Sequence, residues 1–219
     1  MSHWHLATLN WIQTLPEDIL HKLRAESELT EYRAGQKIFE PEIQPDYVYL
    51  LESGRVRLYR HSSQGGEFTY SYVEPGFIFG ELPIMEGIER RNYAEAVALS
   101  NVIRIPKASF LYSMHHSIEF SNEISMQLAK RLTKAKVNIE DLVFKDARSR
   151  VARKLMELAS QGDILYTRGE IAKMTGISRP TASIVMGEFE DEGLIAKEGK
   201  ALKIKEPVKM MDIAIKDVR

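Results

Sequence analysis

Residues 167–195, TRGEIAKMTGISRPTASIVMGEFEDEGLI, decide the fold of the C-terminal third. Thr167 with Glu170 three positions on is a capping box: the hydroxyl accepts the third helical N–H, and the carboxylate reaches back. Ile171, Ala172 and Met174 supply the apolar face of a very short helix. Gly176 ends it in a left-handed turn. Ser178 caps a second helix, and Pro180 falls in the first turn, where a missing N–H costs little. Ala182, Val185, Met186 and Phe189 form that helix's core-facing stripe, and Gly193 stops it. Small Ala172 stands where the two helices cross closely. Beyond them, 194–196 and 202–205 are two short strands joined at Gly199-Lys200, a wing.

A helix-turn-helix puts the N-terminal end of its second helix into the major groove. That end here carries Ser178, Arg179, Thr181 and Ser183. Arginine can take guanine O6 and N7 together, and short hydroxyls contact bases or phosphates. Thr167 at the first helix start and Lys197, Lys200 and Lys203 on the wing are candidate phosphate contacts. A helical hairpin used for protein contact is the other reading.

Upstream, 117–144 is one long helix. Ile118, Ser121, Ser125, Leu128, Leu132, Ala135, Ile139 and Leu142 recur at spacings of three and four. That heptad predicts either a seam between two subunits, carried by Leu128, Leu132, Ala135, Ile139 and Leu142, or a helix packed on its own domain. Residues 30–106 hold short β-prone runs between glycine-rich corners. Tyr47–Leu51 is broken at Glu52-Ser53-Gly54. Arg55–Arg60 then alternates, with Val56 and Leu58 on one face and Arg55, Arg57 and Tyr59 on the other. Gln64-Gly65-Gly66 turns into Glu67–Val73, with Phe68, Tyr70 and Tyr72 on one side, and Pro75-Gly76 turns again. These are the marks of an antiparallel barrel or jelly roll. Helices are predicted to flank it, one from Pro16-Glu17-Asp18 and one over 107–115. The predicted class is α+β: a sensor barrel over 1–116, a dimerisation helix over 117–145 and a winged helix-turn-helix over 146–219.

Composition bounds the function. With no cysteine, disulfides, Cys-ligated zinc and Cys-ligated iron–sulfur clusters are excluded. No run of eighteen apolar residues predicts a membrane span, and Met1 to Trp11 lacks a secretory pattern, so cytoplasmic location without membrane association is expected. Net charge is −1 overall, but from Ala147 onward there are 14 Lys and Arg against 11 Asp and Glu, a net +3 beside an acidic remainder. A barrel enzyme of the cupin kind needs paired histidines on a strand. Here His3-x-His5 sits in the leader, so the chain is predicted not to be an enzyme.

Taken in order, the motifs resemble the CRP/FNR family of dimeric bacterial transcription regulators. The match includes Ala34-Gly35-Gln36-x-Ile38-Phe39, Tyr49-Leu-Leu-x-x-Gly54-x-Val56, Pro75-Gly76-x-Ile78-Phe79-Gly80-Glu81-Leu82 and Glu89-Arg90. It continues with Asp146-x-x-x-Arg150-Val151-Ala152 and the helix-turn-helix above. The resemblance implies a homodimer joined by the long helix, two recognition helices on a double-stranded operator, and contact with RNA polymerase. It also implies an effector on the barrel whose signal rotates the DNA-binding domains to match half-sites one helical turn apart. In cAMP-binding members a glutamate matching Glu81 holds the ribose and an arginine matching Arg90 pairs with the phosphate, so Gly80, Glu81, Leu82, Arg90, Arg91, Ala135 and Lys136 are the candidate effector site. Three features depart. Arg91 replaces a small hydroxyl, Ala135 and Lys136 stand where Thr and Ser read adenine, and the Glu81–Arg90 gap is one residue shorter. The effector therefore stays open among cAMP, another small anionic or acyl ligand such as an anion of higher charge, and none, with Glu81 and Arg90 then a structural pair. Haem would require one of His3, His5, His21, His61, His115 or His116. On the recognition helix, Pro180 and Ile184 replace an acidic residue and an arginine that family members use, which predicts a different operator. A cyclic-nucleotide-binding subunit acting on a protein partner without DNA is the alternative function.

Overall fold

The computed structural model describes residues 11–63, 67–160 and 162–217. His3, His5 and the Gln64-Gly65-Gly66 turn lie outside the described residues. The chain divides into two units, Met1–Leu132 and Thr133–Arg219.

In the first unit a 3-10 turn (Ile12–Thr14) and helix α1 (Glu17–Glu26) precede eight strands. These are β1 (Glu28–Tyr32), β2 (Lys37–Phe39), β3 (Tyr47–Ser53), β4 (Val56–His61), β5 (Glu67–Val73), β6 (Ile78–Phe79), β7 (Tyr93–Ala96) and β8 (Ser100–Pro106). A short helix α2 (Leu82–Glu86) interrupts them, α3 (Lys107–His116) follows, and the long α4 (Ile118–Phe144) begins in this unit and continues past Leu132 into the second. The strands form two antiparallel four-stranded sheets, ordered β1-β8-β3-β6 and β2-β7-β4-β5. Neighbours distant in sequence make this the expected jelly roll.

Why the Tyr47–Leu51 run is continuously apolar is now plain: β3 is buried on both faces. Val48 and Leu50 face a core shared with Ile19, Phe110, Phe120 and Ile124, while Tyr49 and Leu51 face Phe39, Val56, Phe79 and Val102. Alternation of period two sends neighbouring residues into two different cores. On β4 it holds as predicted: Val56 and Leu58 join the second core, and Tyr59 packs opposite, stacked on Tyr93 with its hydroxyl donating to Glu95 at 3.2 Å. Burial and the Glu95 carboxylate push the Tyr59 phenol up to about 12.

β5 differs from expectation. It pairs Tyr72 with Arg57 but Phe68 with Arg60, and Tyr70 is skipped where the register shifts. An extra residue in one strand reverses its alternation, so Phe68 and Tyr72 lie on opposite faces rather than on one.

The first half of α4 also corrects the heptad reading. Phe120, Ile124 and Gln127 are its buried positions. They sit beside the predicted seam, and Leu128 is half-buried against the same core. The seam positions Leu132 (58% exposed), Ala135, Ile139 (61%) and Leu142 are exposed within the chain.

In the second unit come α5 (Ala147–Ser160), α6 (Arg168–Thr175), α7 (Arg179–Asp191), β9 (Ile195–Glu198), β10 (Ala201–Ile204) and α8 (Pro207–Ile215). Val151, Leu155, Ile171, Val185, Phe189, Leu194 and Leu202 make one core. Helix α8 lies beyond the hairpin, where the sequence predicts no element. Pro207 opens it, and Met210 and Ala214 bury against the α5 side of that core. No helix among the described residues is long and apolar enough to cross a membrane.

Candidate functional site

Local chemistry builds the helix-turn-helix as its sequence requires. Thr167 Oγ1 accepts from the Glu170 N–H at 3.2 Å, and Glu170 Oε2 accepts from the Thr167 N–H at 2.8 Å. Gly176 takes φ 66°, the left-handed region, and its N–H returns to the Ala172 carbonyl. Ser178 Oγ accepts the Thr181 N–H at 3.2 Å, and the Ser178 and Thr181 hydroxyls are 2.7 Å apart. Ala182, Val185, Met186 and Phe189 are buried, so the opposite side of α7 faces outward.

Arg179 is exposed at the start of that helix, its stem lying beside Gly169, and makes no ion pair among the described residues. Ser183 is half-buried. Its carbonyl accepts from Arg168 at 3.4 Å, and Arg168 also pairs with Glu190 at 2.5 Å. Arg148 on α5 stacks over Phe189 and pairs with Glu188 at 2.8 Å and Glu192 at 2.6 Å. Of the acids at the far end of α7, Glu188, Glu190 and Glu192 are thus paired, and Asp191 has no ion pair among the described residues. On the wing, Lys197 and Lys200 are exposed without an ion pair among the described residues, whereas Lys203 is held by Asp163 and Lys205 by Glu198. Lys203 is therefore less available to phosphate than its place on the wing implied.

The barrel brings Gly80, Glu81, Leu82, Arg90 and Arg91 to the rim of one cavity of about 60 Å³, with Phe39, Leu58 and Arg131. Glu81 (1% exposed) and Arg90 (3%) are both buried, but they do not pair with each other. Arg90 turns inward: it donates to the Gly80 carbonyl at 3.1 Å and to the Tyr47 carbonyl, and its guanidinium lies 4.1 Å from the Phe39 ring centroid. Burial lowers its pKa below the usual guanidinium value. Gly80 makes that approach workable. It has φ +75°, and a Cβ there would meet Arg90 Nη1 at 2.7 Å.

The partner of Glu81 is Arg131 of α4, at 2.6 Å, and Arg131 also donates to the Ile78 carbonyl. One turn earlier, Gln127 accepts the Ile78 N–H at 2.9 Å and donates to the Gly76 carbonyl at 3.2 Å. These two residues tie the helix to the Gly76–Glu81 segment, and the sequence reading missed both. A signal existed: Phe120, Ile124, Gln127 and Arg131 follow one another by four, three and four, the period of a single helix face. Two polar residues on a core-facing stripe need buried partners. Arg91 is exposed with no ion pair among the described residues, and Leu82 is exposed. Ala135 and Lys136 are exposed on α4, in the second unit. Pockets for drug-sized ligands measure roughly 300–1,000 Å³, so this cavity of about 60 Å³ is small beside them. Among the described residues no cluster of His, Asp and Glu suits a metal ion.

Comparison with known proteins agrees with this architecture. Residues 29–117 match the family model for the cyclic nucleotide-binding domain, and residues 149–213 match that for the Crp-like helix-turn-helix domain. The chain is 30% identical over 186 residues to the cyclic AMP receptor protein of Thermus thermophilus, covering 84% of this chain and 86% of that one. It is 27% identical over 209 residues to the CRP-like cAMP-activated global transcriptional regulator of Mycobacterium tuberculosis, covering 91% and 93%. A solved transcriptional regulator of the CRP/FNR family from Thermus thermophilus superposes with a TM-score of 0.72 at 27% identity, covering 85% and 98%.

Proposed function

The chain belongs to the CRP/FNR family of bacterial transcription regulators, a DNA-binding protein with an effector-binding domain, and from that premise we propose how it works. It acts as a homodimer joined along the α4 stripe of Leu128, Leu132, Ala135, Ile139 and Leu142. It grips an operator with two copies of α7 and contacts RNA polymerase from the bound site. The working division is a sensor over 1–116, a dimerisation helix over 117–145 and a DNA-binding domain over 146–219.

The observation that carries the DNA reading is the outward start of α7. A capped helix N-terminus presents Arg179 exposed, and the wing presents Lys197 and Lys200 exposed, all three with no ion pair among the described residues. Thr167, Ser178, Thr181 and Ser183 supply the flanking contacts. Gel shift with genomic fragments tests it: retention of discrete fragments supports the reading. A chain that shifts none of them, with or without cAMP, favours a regulatory subunit acting on a protein.

The effector we assign to the Gly80–Arg91 segment is an anion. Three guanidiniums, Arg90, Arg91 and Arg131, line a cavity whose one acid is Glu81. Two relatives are named for cAMP, and cAMP is one candidate. The extra arginine at 91 and the loss of hydroxyls at Ala135 and Lys136 favour an anion of higher charge read through phosphate rather than adenine. Calorimetric titration with cAMP and cGMP, with Arg91→Ala as control, separates the two. Saturable heat unaffected by the Arg91 change makes it a cyclic-nucleotide receptor of the ordinary kind. No heat at millimolar nucleotide redirects the search to polyanions.

A further inference from the structure

The outward face of α7 carries an unexpected chemistry. The buried positions Ala182, Val185, Met186 and Phe189 fix the inner side of the helix. At 100° per residue, Pro180, Ile184, Gly187 and Asp191 lie on the opposite line. Ile184 is 63% exposed, and nothing stands within 4 Å of where a Gly187 side chain would begin. The first two turns of the outward line are therefore hydrocarbon and smooth, with Arg179 at one edge and Ser183 near it. At the other end of the helix Glu188 and Glu192 are paired with Arg148 and Glu190 with Arg168, but Asp191 is exposed on the outward line itself with no ion pair among the described residues, and its charge disfavours phosphate there. Only the N-terminal half can sit deep in a groove.

We propose that Ile184 is a specificity-determining residue that reads the 5-methyl group of a thymine in each operator half-site. The proposal rests on the DNA-binding reading above. In the major groove every base edge but one offers donors and acceptors alone, and thymine adds a methyl. An isoleucine pressed on a guanine, cytosine or adenine edge would strip water from polar atoms and return no hydrogen bond, which is costly. Against a methyl it buries apolar surface on both sides. Its β-branched side chain has few rotamers to lose on contact, and the missing side chain of Gly187 lets the helix backbone approach. Arg179, at the edge of the same surface, takes a guanine a few base pairs away, so the half-site is recognised by one forked donor and one methyl contact.

The experiment is an atomic substitution in the DNA. The full chain, at low salt and with and without cAMP, is used to enrich binding sites from random duplexes. Each thymine of the enriched half-site is then replaced singly by deoxyuridine, which removes only the methyl. Affinities are measured by fluorescence anisotropy for the wild type and for Ile184→Ala, whose exposed position leaves the core of the domain intact. The expected result is one thymine per half-site at which deoxyuridine weakens the wild type about threefold to tenfold. At that position it weakens Ile184→Ala by less than about twofold. Loss of equal size in both proteins, or no sensitive thymine at all, overturns the assignment to Ile184 while leaving DNA binding in place. Failure to enrich any sequence, with no binding to random duplexes, overturns the DNA-binding reading itself.

Discussion

Arg131 of α4 donates to the Glu81 carboxylate at 2.6 Å, and Glu81 is almost wholly shielded from solvent. Arg90 and Arg91 stand at the same cavity, but the cation that hydrogen-bonds this carboxylate comes from the long helix rather than from the barrel segment that carries Glu81. Removing one partner of a buried pair costs more than the pair contributes, because the other charge is left stranded. Arg131 itself is partly exposed, which moderates the loss. Arg131→Met should destabilise the barrel unit by roughly 1–3 kcal/mol, read in urea denaturation by far-ultraviolet dichroism. Adding Glu81→Gln should recover part of it. If the double variant loses as much as the two singles added together, or more, the two side chains are not coupled in this way.

Gly80 is held at positive φ with Arg90 against it. Gly80→Ala strains the backbone and pushes the guanidinium off the Gly80 and Tyr47 carbonyls. The expected loss is about 1–3 kcal/mol, seen as a lower melting temperature of the full chain. An unchanged melt would mean that the guanidinium has another place to go at no cost.

The Ser149 backbone N–H donates to the Asp146 carboxylate at 2.7 Å at the start of α5, and this bond holds the Asp146 carboxyl below its usual pKa. A depressed folded-state pKa contributes stability that is fully present above the unfolded value, near pH 4, and is lost as pH falls through the folded value. Asp146→Ala should cost about 1 kcal/mol at pH 7. The gap between variant and wild type should narrow as pH drops from about 5 towards 3. A gap constant over that range would assign the loss to something other than the charged cap.

On the seam, Leu132→Asp places a charge where a second α4 is proposed to pack. Sedimentation velocity should then give a monomer at concentrations where the wild type is a dimer. Because Leu132 is exposed within the chain, folding should survive, and a dimer fraction unchanged by the substitution would refute the seam.

Arg179→Ala should weaken specific operator binding by roughly 1–3 kcal/mol and relax the sequence preference. Lys197→Gln or Lys200→Gln should each weaken all sequences alike and reduce the slope of log affinity against log salt by about 1. Equal loss on specific and random DNA for Arg179→Ala would make that residue a phosphate contact instead.

The sequence by itself determined the features that short-range chemistry controls. Thr167 with Glu170, Gly176, and Ser178 with Pro180 each act within three or four residues through backbone hydrogen bonds and allowed φ, so their structural role is readable in one dimension. The alternation of Val56 and Leu58 against Arg57 and Tyr59 is equally local. What only tertiary structure decided depends on groups far apart in the chain. The skipped Tyr70 reverses the faces of β5 because register is settled by pairing with β4, and no propensity of Phe68 or Tyr72 announces it. The partner of Glu81 lies 50 residues away on α4 rather than at Arg90 nine residues on. The heptad beside Gln127 and Arg131 concealed the face that packs on the barrel, since a helix of this length offers more than one stripe. Lys203 looked free on the wing until folding set Asp163 against it. Local hydrogen bonding and period are written in neighbouring residues, whereas charge pairing and register are settled by which distant surfaces hydrophobic burial brings together.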